Sequence, residues 1–172
     1  GENWTGSWDE EEGFFYDVLA MPDGRYIPLK VRSLVGLSTL FAVFVLKKDL
    51  LEKVPEFHRR LKWFQKYRLD NGQYLVIEDL KEHDDILLSL VPKDRLKRLM
   101  KPLLDENEFL SKGGIRSISK VHQNGYSVNI NGENFGLDYQ PGEGTSSLFG
   151  GNSNWRGPVW MPMNFLLVKA LK

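Results

Sequence analysis

The sequence contains no cysteine. That excludes a disulfide framework, a thiol nucleophile and a cysteine-based zinc site. Histidine is scarce: His58, His83 and His122 are the only three, too dispersed to suggest a metal site. Neither a metal nor a cofactor is expected. Net charge is also missing, since Lys plus Arg and Asp plus Glu number 23 each. Such a balance argues against nucleic acid or an anionic membrane surface as the main partner. The longest uncharged run with helical character, residues 33–46, is too short to span a bilayer. No basic segment followed by an apolar one opens the chain, so a cytoplasmic location is the default expectation.

Aromatic residues, by contrast, are plentiful, and one stretch combines them with sugar-binding chemistry. Gly150-Gly151-Asn152-Ser153-Asn154-Trp155-Arg156-Gly157-Pro158-Val159-Trp160 holds two indoles, a guanidinium and two carboxamides among three glycines and a proline. An indole face covers the C–H side of a pyranose. Asn amides and the planar Arg fork hydrogen-bond to hydroxyls. Glycine lets backbone approach closely. A small carbohydrate or glycoside is the partner this chemistry fits. The same residues also read as a packed loop around one buried Trp, and Arg156 could equally pair with Asp138 or Glu143 and pin that loop.

The rest of the chain alternates strand and helix signals. Phe14 to Leu19 and Tyr26 to Val31 flank the turn Pro22-Asp23-Gly24, which predicts a β-hairpin over 13–31. Ser33 can cap a helix over 34–46, uncharged and apolar on nearly every face, the pattern of a helix buried all round. Pro55 to Arg68 is amphipathic, with Phe57, Leu61 and Phe64 on one side. A short strand over 73–77 and a short helix from Asp84 and Asp85 to Val91 follow. Pro92 opens a further helix with Leu96, Leu99, Met100 and Leu103 as its stripe. Its cations, Lys93, Arg95, Lys97, Arg98 and Lys101, read as a solvated face or a phosphate site. Asn131-Gly132 marks a hairpin inside a long rim region over 115–154. Residues 161–172 read as a terminal helix.

Carboxylates are the candidates for acid–base work: Asp9, Glu10, Glu11, Glu12, Asp17 and Glu143. Among them Asp9, Glu10 and Glu143 are weak catalytic candidates. Consecutive carboxylates point in different directions, so only one or two of 9–12 can face a pocket. The run reads equally as a solvated loop, and Glu143 as an exposed turn residue. Lys30 and Arg32 alternate on a strand and share a face, where they could steer an anionic substrate or make a rim salt bridge. With no nucleophile motif beside it, His122 reads as a loop surface residue.

The segment 154–160, with Trp8-Asp9-Glu10-Glu11-Glu12-Gly13-Phe14-Phe15-Tyr16-Asp17-Val18 upstream, resembles the C-terminal half of glycoside hydrolase family 63 and its mannosylglycerate-hydrolase-like relatives. Leu29-Lys30-Val31-Arg32-Ser33 and Gly114-Ile115-Arg116-Ser117 resemble family segments in the same order. The resemblance implies a mainly α fold, an (α/α)6 toroid with short β-hairpins in its rim loops, and hydrolysis of a glycosidic bond with inversion. It also implies sugar contacts by Trp155, Arg156, Trp160 and the 8–17 stretch. Together with the residues read above, the expected substrate-binding set is Trp8, Tyr16, Lys30, Arg32, Asn154, Trp155, Arg156 and Trp160. The buried 34–46 helix and the amphipathic 55–68 helix would then be inner and outer ring members.

About six helices can be read, and a twelve-helix toroid needs roughly twice this length. Residues 1–172 are therefore expected to form a single domain that is a fragment of a larger (α/α)6 glycosidase domain, with the remainder of that catalytic domain as a partner. Family members place the general acid Asp on an earlier segment and the general base Glu on a later one. Neither motif is found here, so the chain alone should lack both catalytic carboxylates. A non-catalytic carbohydrate-binding module and a structural α-helical domain are the competing readings.

Overall fold

The computed structural model describes residues 7–72, 76–80, 85–141 and 159–172. In chain order they form β1 (Trp8–Asp9), β2 (Phe14–Phe15), β3 (Asp17–Ala20), β4 (Tyr26–Leu29), α1 (Leu34–Leu37), β5 (Val43–Leu46), α2 (Lys48–Lys53) and α3 (Pro55–Asp70). Then come β6 (Val76–Leu80), β7 (Asp85–Ser89), α4 (Lys93–Leu103), β8 (Leu110–Ser111), β9 (Gly114–Ile115), β10 (Tyr126–Ile130), β11 (Glu133–Leu137) and α5 (Met161–Leu171). Short 3-10 turns occupy Ser38–Phe41 and Lys120–Asn124. The strands pair antiparallel in four two-stranded sheets and one three-stranded sheet, ordered β5-β7-β6. This is a mixed α/β fold, and it overturns the expected mainly α toroid. Helices and small sheets alternate along the described residues.

Two segments carry the correction. Residues 34–46 do not form one buried helix. Ser33 caps α1 as expected, its Oγ accepting from the Val35 amide at 3.3 Å. The helix lasts a single turn, and Gly36 within it lets β2 press in. A Cβ there would lie 2.3 Å from both Phe14 Cε1 and the Phe15 carbonyl oxygen. The chain tightens into the 3-10 turn and then extends as β5. Val43 and Val45 are stiff at χ1, and Phe44 favours a pleated surface. They pair with the second misread segment, β7, in the register Val43↔Ser89 to Leu46↔Ile86. Residues 85–89 were expected to be helical, yet β7 is the central strand, bonded to β5 on one edge and β6 on the other. An uncharged apolar run suits a buried helix and a central strand alike, and length and partner decide.

Elsewhere turn chemistry holds. β3 and β4 form the expected hairpin around Gly24, whose φ is +85°. β10 and β11 meet at Asn131 and Gly132, with φ of +53° and +90°, the pair of positive values that a tight hairpin needs. Pro55 opens α3 and Pro92 precedes α4.

Two apolar cores result. The larger gathers Phe14, Tyr16, Leu34, Leu37, Leu40, Val91, Leu99, Leu103, Phe109 and Leu167. Phe14 and Phe109 are fully buried and stack with centroids 5.8 Å apart. The smaller lies between the three-stranded sheet and α2: Leu46, Leu51, Ile77 and Ile86, with Leu61 of α3 packed on it. α5 joins the larger core through Leu167. Its first turn is fixed by Asn164, whose side chain accepts from the Ile115 amide at 2.7 Å and donates to the Ile115 carbonyl at 3.0 Å.

Candidate functional site

The site begins with a turn. The Asp9 carboxylate accepts from the amides of Glu11 at 3.0 Å and Glu12 at 2.9 Å, closing the loop between β1 and β2. The loop ends at Gly13, φ +66°, where a Cβ would lie 2.4 Å from Arg98 Nε. Glycine is needed there both for the left-handed backbone and for the close approach.

This turn delivers Asp9 and Glu12 to two cations on the extended segment that follows β4, which ends at Leu29 rather than at the expected Val31. Lys30 Nζ bridges Asp9 Oδ2 at 3.0 Å and Glu12 Oε1 at 2.8 Å. Arg32 spreads its fork over three partners: Glu12 Oε2 at 3.4 Å, Glu108 Oε1 at closer range, and the Tyr16 hydroxyl, which accepts from Nε at 3.1 Å. Tyr16 in turn donates to Glu12 Oε2. Glu108 Oε2 accepts from Ser119 Oγ at 2.8 Å. Below the guanidinium lies the Phe14 ring, 5.6 Å away. The fork geometry explains why Arg rather than Lys occupies 32: one planar group satisfies two carboxylates and a phenol together.

The backbone of 30–34 is held just as closely. The Lys30 amide donates to Tyr126 Oη at 3.0 Å, and the Arg32 amide to His122 Nε2 at 2.9 Å. Ser119 N donates to the Arg32 carbonyl and Leu34 N to the Ser117 carbonyl, each at 2.9 Å.

Charge follows geometry. Asp9 lies below the ordinary carboxylate range because the Glu12 amide donates to it, with Lys30 adding to the effect against some desolvation. Burial alone would raise Glu12, but hydrogen bonds from Lys30 and Tyr16 outweigh it and push its pKa down. Burial, reinforced by the Glu12 carboxylate, drives the Tyr16 phenol up. Glu12 and then Asp9 raise Lys30. At neutral pH these groups are thus two carboxylates, an ammonium and a neutral phenol. They can grip hydroxyls or accept a proton. A general acid needs its carboxyl pushed the other way.

A cleft of about 320 Å³ opens beside them, lined by Glu12, Arg32 and Glu108 and by Arg98, Lys101 and Asp105. Of the expected site residues, Asp9, Tyr16, Lys30 and Arg32 therefore converge. Trp8 does not face open space. Arg95 and Arg98 of α4 lie over its ring at 4.7 and 5.4 Å, and Phe15 meets it edge-on at 4.7 Å. Glu10 points the same way, bonded to Arg95 and Arg98 at 3.1 Å each. Thus two cations read as a solvated or phosphate-binding face are turned onto Trp8 and Glu10. Half-buried Trp160 precedes α5, and its carbonyl accepts from the Asn164 amide at 3.1 Å. Glu143, Asn154, Trp155 and Arg156 lie outside the described residues.

His122 is a correction. It is not a surface residue but buried, 8% exposed, and it supports Arg32. Glu108, Ser119 and Tyr126 were missed as well. Their contacts to the 30–32 segment cross 76 to 96 residues of sequence, and no local motif signals them. Among the described residues no group of three or more His, Cys, Asp or Glu could hold a metal ion.

No protein-family model matches the sequence. Over 168 residues the chain is 41% identical to an uncharacterized protein of Saccharomyces cerevisiae, a match covering 96% of this chain and 15% of that protein. A second similarity is more informative. Over 88 residues, half of this chain, it is 35% identical to a probable mannosyl-oligosaccharide glucosidase of Schizosaccharomyces pombe, covering 8% of that protein. Half the chain resembles a glucosidase. This chain spans a small part of the length of either relative. Among the described residues no helix is long and apolar enough to cross a membrane.

Proposed function

We propose that this chain is part of a glycosidase-related protein, and that the cleft beside Arg32 forms part of its carbohydrate-binding surface. The observation that carries this is that Glu12, Arg32 and Glu108 line an open cleft, with Asp9, Tyr16 and Lys30 bonded behind them. Ionised carboxylates and fixed donors side by side match the alternating donor and acceptor character of sugar hydroxyls. The likeness to a probable mannosyl-oligosaccharide glucosidase supports the same direction.

The finer reading is an inverting, exo-acting hydrolase of the family 63 or mannosylglycerate-hydrolase type, with an α-glucoside or mannosylglycerate as substrate. Inversion needs two carboxyls about 6.5–9.5 Å apart, one of them protonated. Asp9 is held ionised by backbone amides and Lys30, and Glu12 by Lys30 and Tyr16, which suits a substrate-gripping role. Proton transfer is then left to groups elsewhere in a longer catalytic domain of which this chain is one piece. Titration calorimetry with glucose, mannose and mannosylglycerate tests the proposal: Arg32→Ala should abolish heat that the unaltered chain gives. Turnover of an α-glucoside by the chain alone, lost on substituting Glu12 or Asp9, would overturn the division of labour.

One observation favours a binding module instead. Trp63 and Tyr67 of α3 stack at 5.5 Å and stand 64% and 49% exposed. Sugar binding lost on Trp63→Ala and kept on Arg32→Ala would select that reading.

A further inference from the structure

His122 is the buried titratable side chain that the sugar-gripping chemistry above leaves without a role. Its Nε2 accepts the Arg32 amide, and an imidazole nitrogen that accepts carries no proton. The remaining proton therefore sits on Nδ1. The ring meets Tyr126 edge-on at 5.5 Å, and the Tyr126 hydroxyl accepts the Lys30 amide. Thus two neighbouring side chains hold the backbone beneath both cations of the site. The imidazole is itself well anchored: the His122 amide donates to the Ser119 carbonyl, and its own carbonyl accepts from Gly125 and Tyr139.

We propose that His122 is a positioning residue that makes the cleft pH-sensitive: as neutral imidazole it fixes the Arg32 backbone and hence its fork, and on protonation it releases them. This rests on reading Arg32 as a sugar-binding group. A proton on Nε2 would set two donors against each other and leave the Arg32 amide without an acceptor. The groups facing the ring set the balance. The burial of the ring and, after it, Arg32 oppose protonation. Glu12 of the β1–β2 turn favours it. The Tyr126 phenol beside the ring adds no charge. Burial and Arg32 prevail, and the pKa lies below the ordinary 6.5.

The direction follows. The folded state resists a proton that the unfolded chain takes up near pH 6.5, so the support given by His122 is complete above that pH. It declines as pH falls below it. Glutamine offers a carbonyl oxygen at the reach of Nε2 and does not titrate, which separates the hydrogen bond from the charge.

The test uses the full chain, its His122→Gln variant and two readouts. Nuclear magnetic resonance follows the His122 ring and the Arg32 amide from about pH 7.5 to about pH 5. In the unaltered chain the Arg32 amide should move with the ring, at a midpoint below 6.5. In His122→Gln it should stay still. Glucose affinity, read by calorimetry, should fall about tenfold over the same range in the unaltered chain and less than about twofold in the glutamine variant. His122→Ala should bind poorly at every pH. An Arg32 amide that ignores the ring titration, or a glutamine variant with the same pH profile as the parent, overturns the proposal. If no sugar binds at any pH while the amide still tracks the ring, the positioning role stands and the carbohydrate reading falls.

Discussion

Around Phe14 and Phe109 ten buried side chains close over one another, and the charged cluster of Arg32 is built on top of them. Around Ile77 and Ile86 four buried side chains suffice, and the long helix beside them buries none of its own. The first region can hold Arg32 over Phe14, wedge Tyr16 between Glu12 and Arg32, and keep each partner satisfied. The second commits a buried carboxylate, Asp85, to Lys47 at 2.8 Å and to the Lys48 amide at 3.0 Å, which opens α2. A polar network is ordered where a large apolar core fixes its backbone. Where the core is small, the aromatic residues of α3 stay in solvent, with Trp63 64% and Tyr67 49% exposed.

Substitutions can break this contrast. The largest effect is expected from Phe14→Ala, which should cost about 3–5 kcal/mol in chemical denaturation and disorder the Arg32 cluster with it. Leu51→Ala removes a smaller side chain from the smaller core and should cost about 2–3 kcal/mol. A larger loss than that of Phe14→Ala would reverse the ranking of the two cores. Asp85→Ala comes next, at about 1–3 kcal/mol, because the Lys48 amide loses its acceptor. It should loosen α2 while leaving Arg32 contacts intact, as exchange of backbone amides would reveal.

Acid should then act on the first region. Asp9 and Glu12 both have folded pKa values below their ordinary 3.8 and 4.5. Their stabilisation is present above those values and is lost as pH falls through and below them. Melting followed from pH 6 to pH 3 should thus show a decline that Glu12→Gln blunts. Trp63→Ser should do least, within about 0.5 kcal/mol, since nothing buried depends on it.

The hairpins, the caps and three of the helices were legible because they rest on short-range chemistry. Gly24, Asn131-Gly132, Ser33, Pro55 and Pro92 act where they stand in sequence. The toroid was not there to be read. It came from the family resemblance, and its support in the residues was the uncharged run over 34–46 taken as one helix, whereas that run divides into a turn of helix, a 3-10 turn and a strand paired with β7. The site was half legible. Lys30 and Arg32 could be named from type and spacing and Tyr16 from the resemblance of its segment, but not Glu108, Ser119, His122 and Tyr126. Long loops bring these to Arg32, and a lone histidine in a loop carries no mark of the amide it will accept.

One side chain sets the orientation of the last helix. Asn164 imitates a neighbouring strand toward Ile115, donor for acceptor and acceptor for donor, and Gly114 yields the space, since a Cβ there would stand 2.9 Å from Asn164 Oδ1. α5 is thereby clocked about its own axis. Inserting or deleting one residue between Trp160 and Asn164 would swing the segment ahead of the amide by about 100° relative to the rest of the helix. The carboxamide acts as an index pin for the helix that carries it.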